Sequence, residues 1–176
     1  MANAVTRQYR QCMAITPTGS LVTLDDGSRA LVLARTFDSD IHDVWSSLTE
    51  SDRTAKWFGP WSGEPGVGAT IQLRMGFEDE APAVDARIDA CEAPRHLALS
   101  FVDSSGGWRL DLRLAEHAGV TTLVFTQPLD DPTAVESIGP GWEWYLDLLL
   151  ASREDIPLPS FDDYYPAQAA YYAALV

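Results

Sequence analysis

Hydrophobic residues in this chain recur by twos over most of its length and by threes and fours in only a few places. Trp108, Leu110, Leu112 and Leu114 alternate with Arg109, Asp111 and Arg113. This is the cleanest period of two in the sequence, and it predicts a strand with one buried and one wet face. Ile71, Leu73, Met75 and Phe77 alternate with Gln72, Arg74 and Gly76, and Val84, Ala86, Ile88 and Ala90 with Asp85, Arg87 and Asp89. Leu97, Leu99 and Phe101 follow a turn at Ala93-Pro94-Arg95, and a Thr-rich, β-branched run from Val120 to Gln127 adds a strand. Ahead of all these, Gly19 to Leu24 and Ser28 to Phe37 flank Asp25-Asp26-Gly27, a hairpin signal. The links are short, so the strands are expected to form an antiparallel meander.

Helical spacing appears first at Ile41, Val44, Trp45 and Leu48, behind a cap at Ser39 or Asp40, with a second short helix over Ser51 to Lys56. It returns at Ile138, Trp142, Tyr145, Leu146 and Leu149, the stripe of one long helix. Gly139-Pro140-Gly141 is expected to interrupt any helix begun earlier, and Pro140 suits a first helical position. The long helix is therefore expected from near Pro140 to near Arg153, with Ile156-Pro157-Leu158-Pro159 as its stop and a short helix over Ala167 to Leu175 in the tail. Grouped strands followed by one long helix argue for an α+β fold, a curved antiparallel sheet wrapped around the C-terminal helix. The sheet's buried face needs a cover, and this helix is the element large enough. A hollow is expected between them.

Size and charge narrow the function classes. A chain of 176 residues reads as one domain, able to bury about 70% of its unfolded surface. No apolar run approaches the ~20 residues of a membrane span, and the first residues lack the apolar core of a secretory signal. Twelve Lys and Arg against 26 Asp and Glu leave a net charge of -14, which repels nucleic-acid phosphate and anionic lipid. Cys12 and Cys91 form no motif and read as free thiols of a reducing cytoplasm, the expected location. His42, His96 and His117 lack metal spacing, and Asp38 to Asp43 lacks the glycine and distal glutamate of a calcium loop, so no metal or cofactor is expected. Gly63, Gly66 and Gly68 do not open a helix, which argues against a phosphate cradle. The motifs of serine hydrolases and zinc enzymes do not occur.

Several segments carry a family likeness. Arg35-Thr36-Phe37 leads into Val44-Trp45, and Trp57-Phe58-Gly59-Pro60 follows the second helix. Ile88 to Leu97 forms a strand–turn–strand around Pro94, Gly119-Val120-Thr121-Thr122-Leu123 enters a strand, and Gly141-Trp142 precedes Leu146 and Leu149. In this order the chain resembles the START-like superfamily, also called Bet v 1-like, SRPBCC or helix-grip. Within it the chain resembles the Hsp90-ATPase-activator-homologue branch common in bacteria. The likeness covers residues 28–153, leaving 1–27 as an N-terminal extension with an added hairpin strand and 154–176 as a tail with a short helix. It implies a deep apolar cavity between sheet and long helix. Its members include lipid and hormone binders, polyketide cyclases and dehydratases, and domains that touch Hsp90, so the fold leaves function open.

The expected lining of that cavity is Leu73, Met75, Ile88, Leu99, Phe101, Trp108, Leu110 and Leu112 from the strands, with Trp142, Tyr145, Leu146 and Leu149 from the helix. Trp57, Phe58 and Trp61 sit on a Gly/Pro-rich loop and either form the cavity mouth or fold back on the core. For Trp142 and Tyr145 the alternatives are likewise a ligand wall or plain packing. Arg74, Arg87, Arg109 and Arg113 are expected to face solvent, with Arg74 or Arg109 the one to turn inward and hold a ligand carboxylate or carbonyl. A buried arginine needs an acid, and Asp111, Glu143 and Asp147 are the ones suitably spaced. A dry hollow of a few hundred Å³ would cost roughly 10 kcal/mol, comparable to the roughly 5–15 kcal/mol stability of a whole domain, so it must hold water or ligand, or collapse.

The leading expectation is binding of a small apolar or aromatic molecule, lipid- or polyketide-like. The alternative is a polyketide cyclase- or dehydratase-like enzyme, with Tyr145, Arg109 and Arg74 as weak catalytic candidates. An Hsp90-type chaperone partner ranks third and is disfavoured. The tail tyrosines Tyr164, Tyr165, Tyr171 and Tyr172 are expected to cap the sheet edge, with a homodimer contact as the alternative.

Overall fold

Strand β1 (Ser20–Thr23) and strand β2 (Arg29–Phe37) form the N-terminal hairpin of a computed structural model that describes residues 15–103, 106–154 and 156–176. Cys12 lies outside the described residues. In the turn, the Leu24 N–H donates to the Ser28 carbonyl (2.8 Å) and the Gly27 N–H to the Leu24 carbonyl (2.9 Å). Gly27 sits at φ 85°, the left-handed position that a three-residue hairpin loop reserves for glycine.

Helix α1 (Ile41–Thr49) is capped by the Asp40 side chain, which accepts from the His42 N–H, and buries Ile41, Val44 and Leu48. The one-turn α2 (Ser51–Thr54) follows. Six strands complete the sheet: β3 (Trp61–Ser62), β4 (Thr70–Arg74), β5 (Ala83–Glu92), β6 (His96–Asp103), β7 (Gly106–His117) and β8 (Val120–Leu129). Their order is β1-β2-β8-β7-β6-β5-β4-β3, every neighbouring pair antiparallel, and the curved sheet grips the C-terminal helix. The register shifts once, between Ile88 and Ala90 of β5, a bulge of the kind that bends a strand. Leu31, Leu33 and Phe37 of β2, Leu110, Leu112 and Leu114 of β7, and Leu123, Phe125 and Leu129 of β8 make the inner face.

Helix α3 runs from Val135 to Glu154, so it begins well before Pro140 and passes through Gly139-Pro140-Gly141. Proline here forfeits one helical hydrogen bond, the one to the carbonyl of Glu136, and costs ~3 kcal/mol. Val135, Gly139 and Pro140 are all buried, and burying one Val-sized side chain returns about 1.5–3 kcal/mol. Tertiary burial therefore outweighs the local rule. The 3-10 turn Pro132–Ala134 leads in, with the Asp131 carboxylate accepting from the Thr133 N–H.

The sheet covers one side of α3 and the tail another. Past a 3-10 turn at Phe161–Asp163, α4 (Ala169–Ala173) packs on α3, shorter than the expected Ala167 to Leu175. Tyr164 and Tyr172 are fully buried, and two tail tyrosines meet the entry to the edge strand β1: the Tyr171 hydroxyl donates to the Gly19 carbonyl (2.9 Å) and the Tyr172 hydroxyl accepts from the Gly19 N–H (3.2 Å). Tyr165 is exposed. No described helix is long and apolar enough to cross a membrane.

Candidate functional site

Strand β2 turns Arg35 inward, in phase with Leu31, Leu33 and Phe37, and α3 supplies its acids. The Arg35 guanidinium donates from Nη2 to Glu143 Oε2 (2.6 Å), from Nε to Asp147 Oδ1 (2.8 Å) and from Nη1 to Thr18 Oγ1 (2.9 Å). Glu143 Oε1 also accepts from the backbone N–H groups of Thr18 and Gly19 and from the Tyr172 hydroxyl (2.6 Å). Burial opposes the Glu143 carboxylate, but hydrogen bonds from Tyr172, Arg35 and Thr18 outweigh it and hold this carboxyl below its usual range. Tyr164 donates to Asp147 Oδ2 (2.7 Å). Both acids are thus fully engaged, and the cluster is a lock between sheet, helix and tail rather than a site facing a ligand.

The four strand arginines, Arg74, Arg87, Arg109 and Arg113, face solvent as expected, and neither Arg74 nor Arg109 is the one that turns inward. Glu143 and Asp147 are the acids of a buried guanidinium, but the guanidinium is Arg35. Asp111 instead pairs with His96 Nε2 (2.7 Å) and Arg113 Nε (2.8 Å) on the outer face.

The space between sheet and helix is divided in two by Trp142. On one side lies an apolar pocket of about 110 Å³. Trp57, Phe58 and Trp61 roof it, and Leu73, Ile88, Leu99, Phe101, Leu110 and Leu112 line its sheet side. Trp57 and Phe58 are buried and stacked at 5.4 Å, and Trp61 is half-buried. The Trp57 indole donates to the Ser47 carbonyl (2.9 Å) and that of Trp61 to the Thr49 carbonyl (3.2 Å), which pins the loop to α1. A dry space of this size costs ~3 kcal/mol, so the fold can carry it. Leu146 and Leu149 line neither space and pack in the core.

On the other side of Trp142 lies an open cleft of about 540 Å³. Its apolar walls are Met75, Trp108, Ile138, Trp142 and Tyr145, with Gly141 on the helix rim. The ring centroids of Trp108 and Trp142 are 6.0 Å apart, and those of Trp142 and Tyr145 5.6 Å. Polar groups enter from Glu78, Arg109, Gln127, Asp130 and Asp131. The Tyr145 hydroxyl donates to Glu78 Oε1 (2.7 Å), and burial together with that carboxylate pushes the phenol well above its ordinary pKa. At neutral pH Tyr145 is a proton-bearing donor. The Trp142 indole donates to Gln127 Oε1 (2.5 Å).

Of the residues singled out in the sequence, Trp142 alone touches both spaces. Arg109 reaches the cleft rim, whereas Arg74 lines neither space. Four polar residues of the cleft escaped the sequence reading: Glu78, Gln127, Asp130 and Asp131. For Gln127 the signal existed, because it falls two residues after the inward Phe125 on β8.

Comparison with known proteins agrees with this fold. Among solved structures, the crystal structure of CalU16 from Micromonospora echinospora superposes with a TM-score of 0.73 at 24% identity, over 93% of this chain and 98% of that one. The protein encoded by gene BPP1335 of Bordetella parapertussis gives 0.67 at 22% identity, over 90% and 88%. DynU16, a protein of the dynemicin biosynthetic locus, gives 0.65 at 20% identity, over 75% of this chain and 50% of that one. These likenesses show a shared fold. No curated protein matches the chain. The family described as Activator of Hsp90 ATPase homolog 1-like protein matches over residues 38–152. That match spans well over half of the sequence and takes in both spaces around Trp142, and the chain belongs to this family.

Proposed function

We propose that the protein binds a small apolar or aromatic molecule, lipid- or polyketide-like, in the cleft beside Trp142. The observation that carries this reading is the cleft's size and wall: about 540 Å³, within the 300–1,000 Å³ range of ligand sites, faced by Trp108, Trp142 and Tyr145. The inner pocket of about 110 Å³ suits at most an alkyl tip, being smaller than the engineered dry cavity of about 150 Å³ that takes one benzene. DynU16, which shares the fold, is a protein of the dynemicin biosynthetic locus, and that setting is compatible with a small-molecule ligand here.

Gly141 offers a clean test. A Cβ built on it meets no atom within 4 Å, and it lines the cleft. Gly141→Trp, whose Cβ meets no atom, is expected to obstruct the cleft while leaving the fold intact. Native mass spectrometry should find a co-purifying small molecule on the wild type and lose it in the variant. Titration with a fluorescent apolar probe should show the same contrast. Equal occupancy of both proteins would remove the cleft as the site.

A second reading is favoured by Tyr145, a hydroxyl held in the cleft by Glu78. In this reading the protein is a cyclase- or dehydratase-like enzyme in which Tyr145 hydrogen-bonds a substrate oxygen. Tyr145→Phe would then abolish turnover of a bound substrate while sparing its affinity, and unchanged turnover would eliminate the reading.

A further inference from the structure

We infer that Gln127 selects the cleft's ligand by donating a hydrogen bond from its side-chain amide to a neutral oxygen, carbonyl or hydroxyl, on a flat apolar body lying against Trp142. This inference rests on the ligand-binding reading above and adds the chemistry that would be recognised.

Gln127 occupies an inward position of β8 between Phe125 and Leu129, only 5% exposed, and lines the cleft. Its orientation follows from chemistry. The Trp142 indole N–H can only donate, so the atom of Gln127 it meets at 2.5 Å is the amide oxygen. The amide nitrogen then points away from Trp142 with two N–H donors and no hydrogen-bond partner among the described residues. That nitrogen borders the open cleft, where water can accept from it. A ligand that displaces this water without offering an acceptor forfeits the hydrogen bond.

The surrounding charges say what kind of acceptor. Glu78, Asp130 and Asp131 stand around the cleft against a single guanidinium, Arg109. Asp131 is held below its ordinary pKa by hydrogen bonds from Thr133, so it keeps its charge. A ligand carboxylate would face three acids and one base, whereas a neutral oxygen meets no such repulsion. The wall formed by Trp108, Trp142 and Tyr145 favours a flat ring system beside that oxygen.

The test uses two bicyclic probes that differ in one carbonyl, α-tetralone and tetralin, titrated calorimetrically into the full chain. Tetralin is the more apolar and wins in a pocket that has no donor. The wild type is expected to prefer α-tetralone by about tenfold, the weight of one well-placed hydrogen bond. Gln127→Glu, measured at alkaline pH, keeps an oxygen for Trp142 but removes the donors. Whatever its absolute affinities, it should lose the preference for α-tetralone over tetralin. Should that variant fail to fold, the Gln127 side-chain amide resonances of the wild type decide: they must shift with α-tetralone and stay with tetralin. A wild type that binds tetralin as tightly, or a preference that survives in Gln127→Glu, overturns the role of Gln127 and leaves cleft binding standing. A wild type that binds neither probe overturns both.

Discussion

The ring of Tyr172 stands where a side chain on Gly139 would have to go: a Cβ built on Gly139 lies 2.4 Å from Tyr172 Cδ1 and 2.5 Å from Cγ. The ring cannot retreat freely, because a Cβ on Gly19 would in turn lie 2.4 Å from its hydroxyl. Two residues along the helix, Gly141 faces open space. Helix propensity favours Gly→Ala at both positions by up to ~1 kcal/mol. Overpacking at Gly139 costs about 1–3 kcal/mol and wins there. Gly139→Ala should therefore lower the urea midpoint and Gly141→Ala raise it. In a Tyr172→Ala background the Gly139 substitution should lose its penalty, a coupling that a double-mutant cycle reads directly.

Removing one member of a buried ion pair leaves the other charge uncompensated, at about 3–5 kcal/mol. Arg35 and Glu143 are 8% and 1% exposed. Asp147 still holds Arg35 Nε, so Glu143→Gln is expected at the lower end, ~3 kcal/mol, by urea unfolding. A loss under ~1 kcal/mol would mean that the neutral amide satisfies the same donors and that charge contributes little.

Acid should act through the same carboxylate. The folded state holds Glu143 below its ordinary pKa, so its stabilisation is complete above the unfolded value, about 4.3, and disappears as pH falls through the folded one. Asp43 has the same sign, lowered by hydrogen bonds from Arg53 and then Arg153. Wild-type stability should drop steeply below pH ~4. Glu143→Gln, weaker at neutral pH, should fall less steeply, so the two curves converge on acidification. Parallel curves would show that Glu143 does not drive the acid limb.

Tyr145 tethers Glu78 and with it the turn between β4 and β5, where Glu80 and Ala81 both carry positive φ (64° and 43°). Tyr145→Phe removes that tether and leaves the ring packing. Amide exchange at Met75 to Ala81 should quicken while the strands keep their protection, with a global loss of about 1 kcal/mol. Unchanged exchange in the turn would show that it is held by other contacts.

Regular alternation made the sheet legible. Leu110, Leu112 and Leu114 announced β7, and Asp25-Asp26-Gly27 announced the first hairpin, because each signal is local and physically complete. The start of α3 was not legible: proline's penalty is local, whereas its remedy is burial of Val135 and Pro140 against distant parts of the fold. Arg35 hid in a strand whose segment Ala30 to Ala34 is apolar on both faces, so no polar residue marked the phase. Gln127 was within reach, since it keeps the inward phase of Leu123 and Phe125 on β8. The cleft acids lie on turns, where period carries no information.

Glu143 gathers Thr18 and Gly19 from before the first strand, Arg35 from the sheet and Tyr172 from the closing helix onto two oxygen atoms. Such a rivet makes the flanking segments interdependent. A cut that removes Tyr172 also frees the entry to β1, and one that removes Thr18 and Gly19 unmoors the last helix, so losing either segment loosens the other.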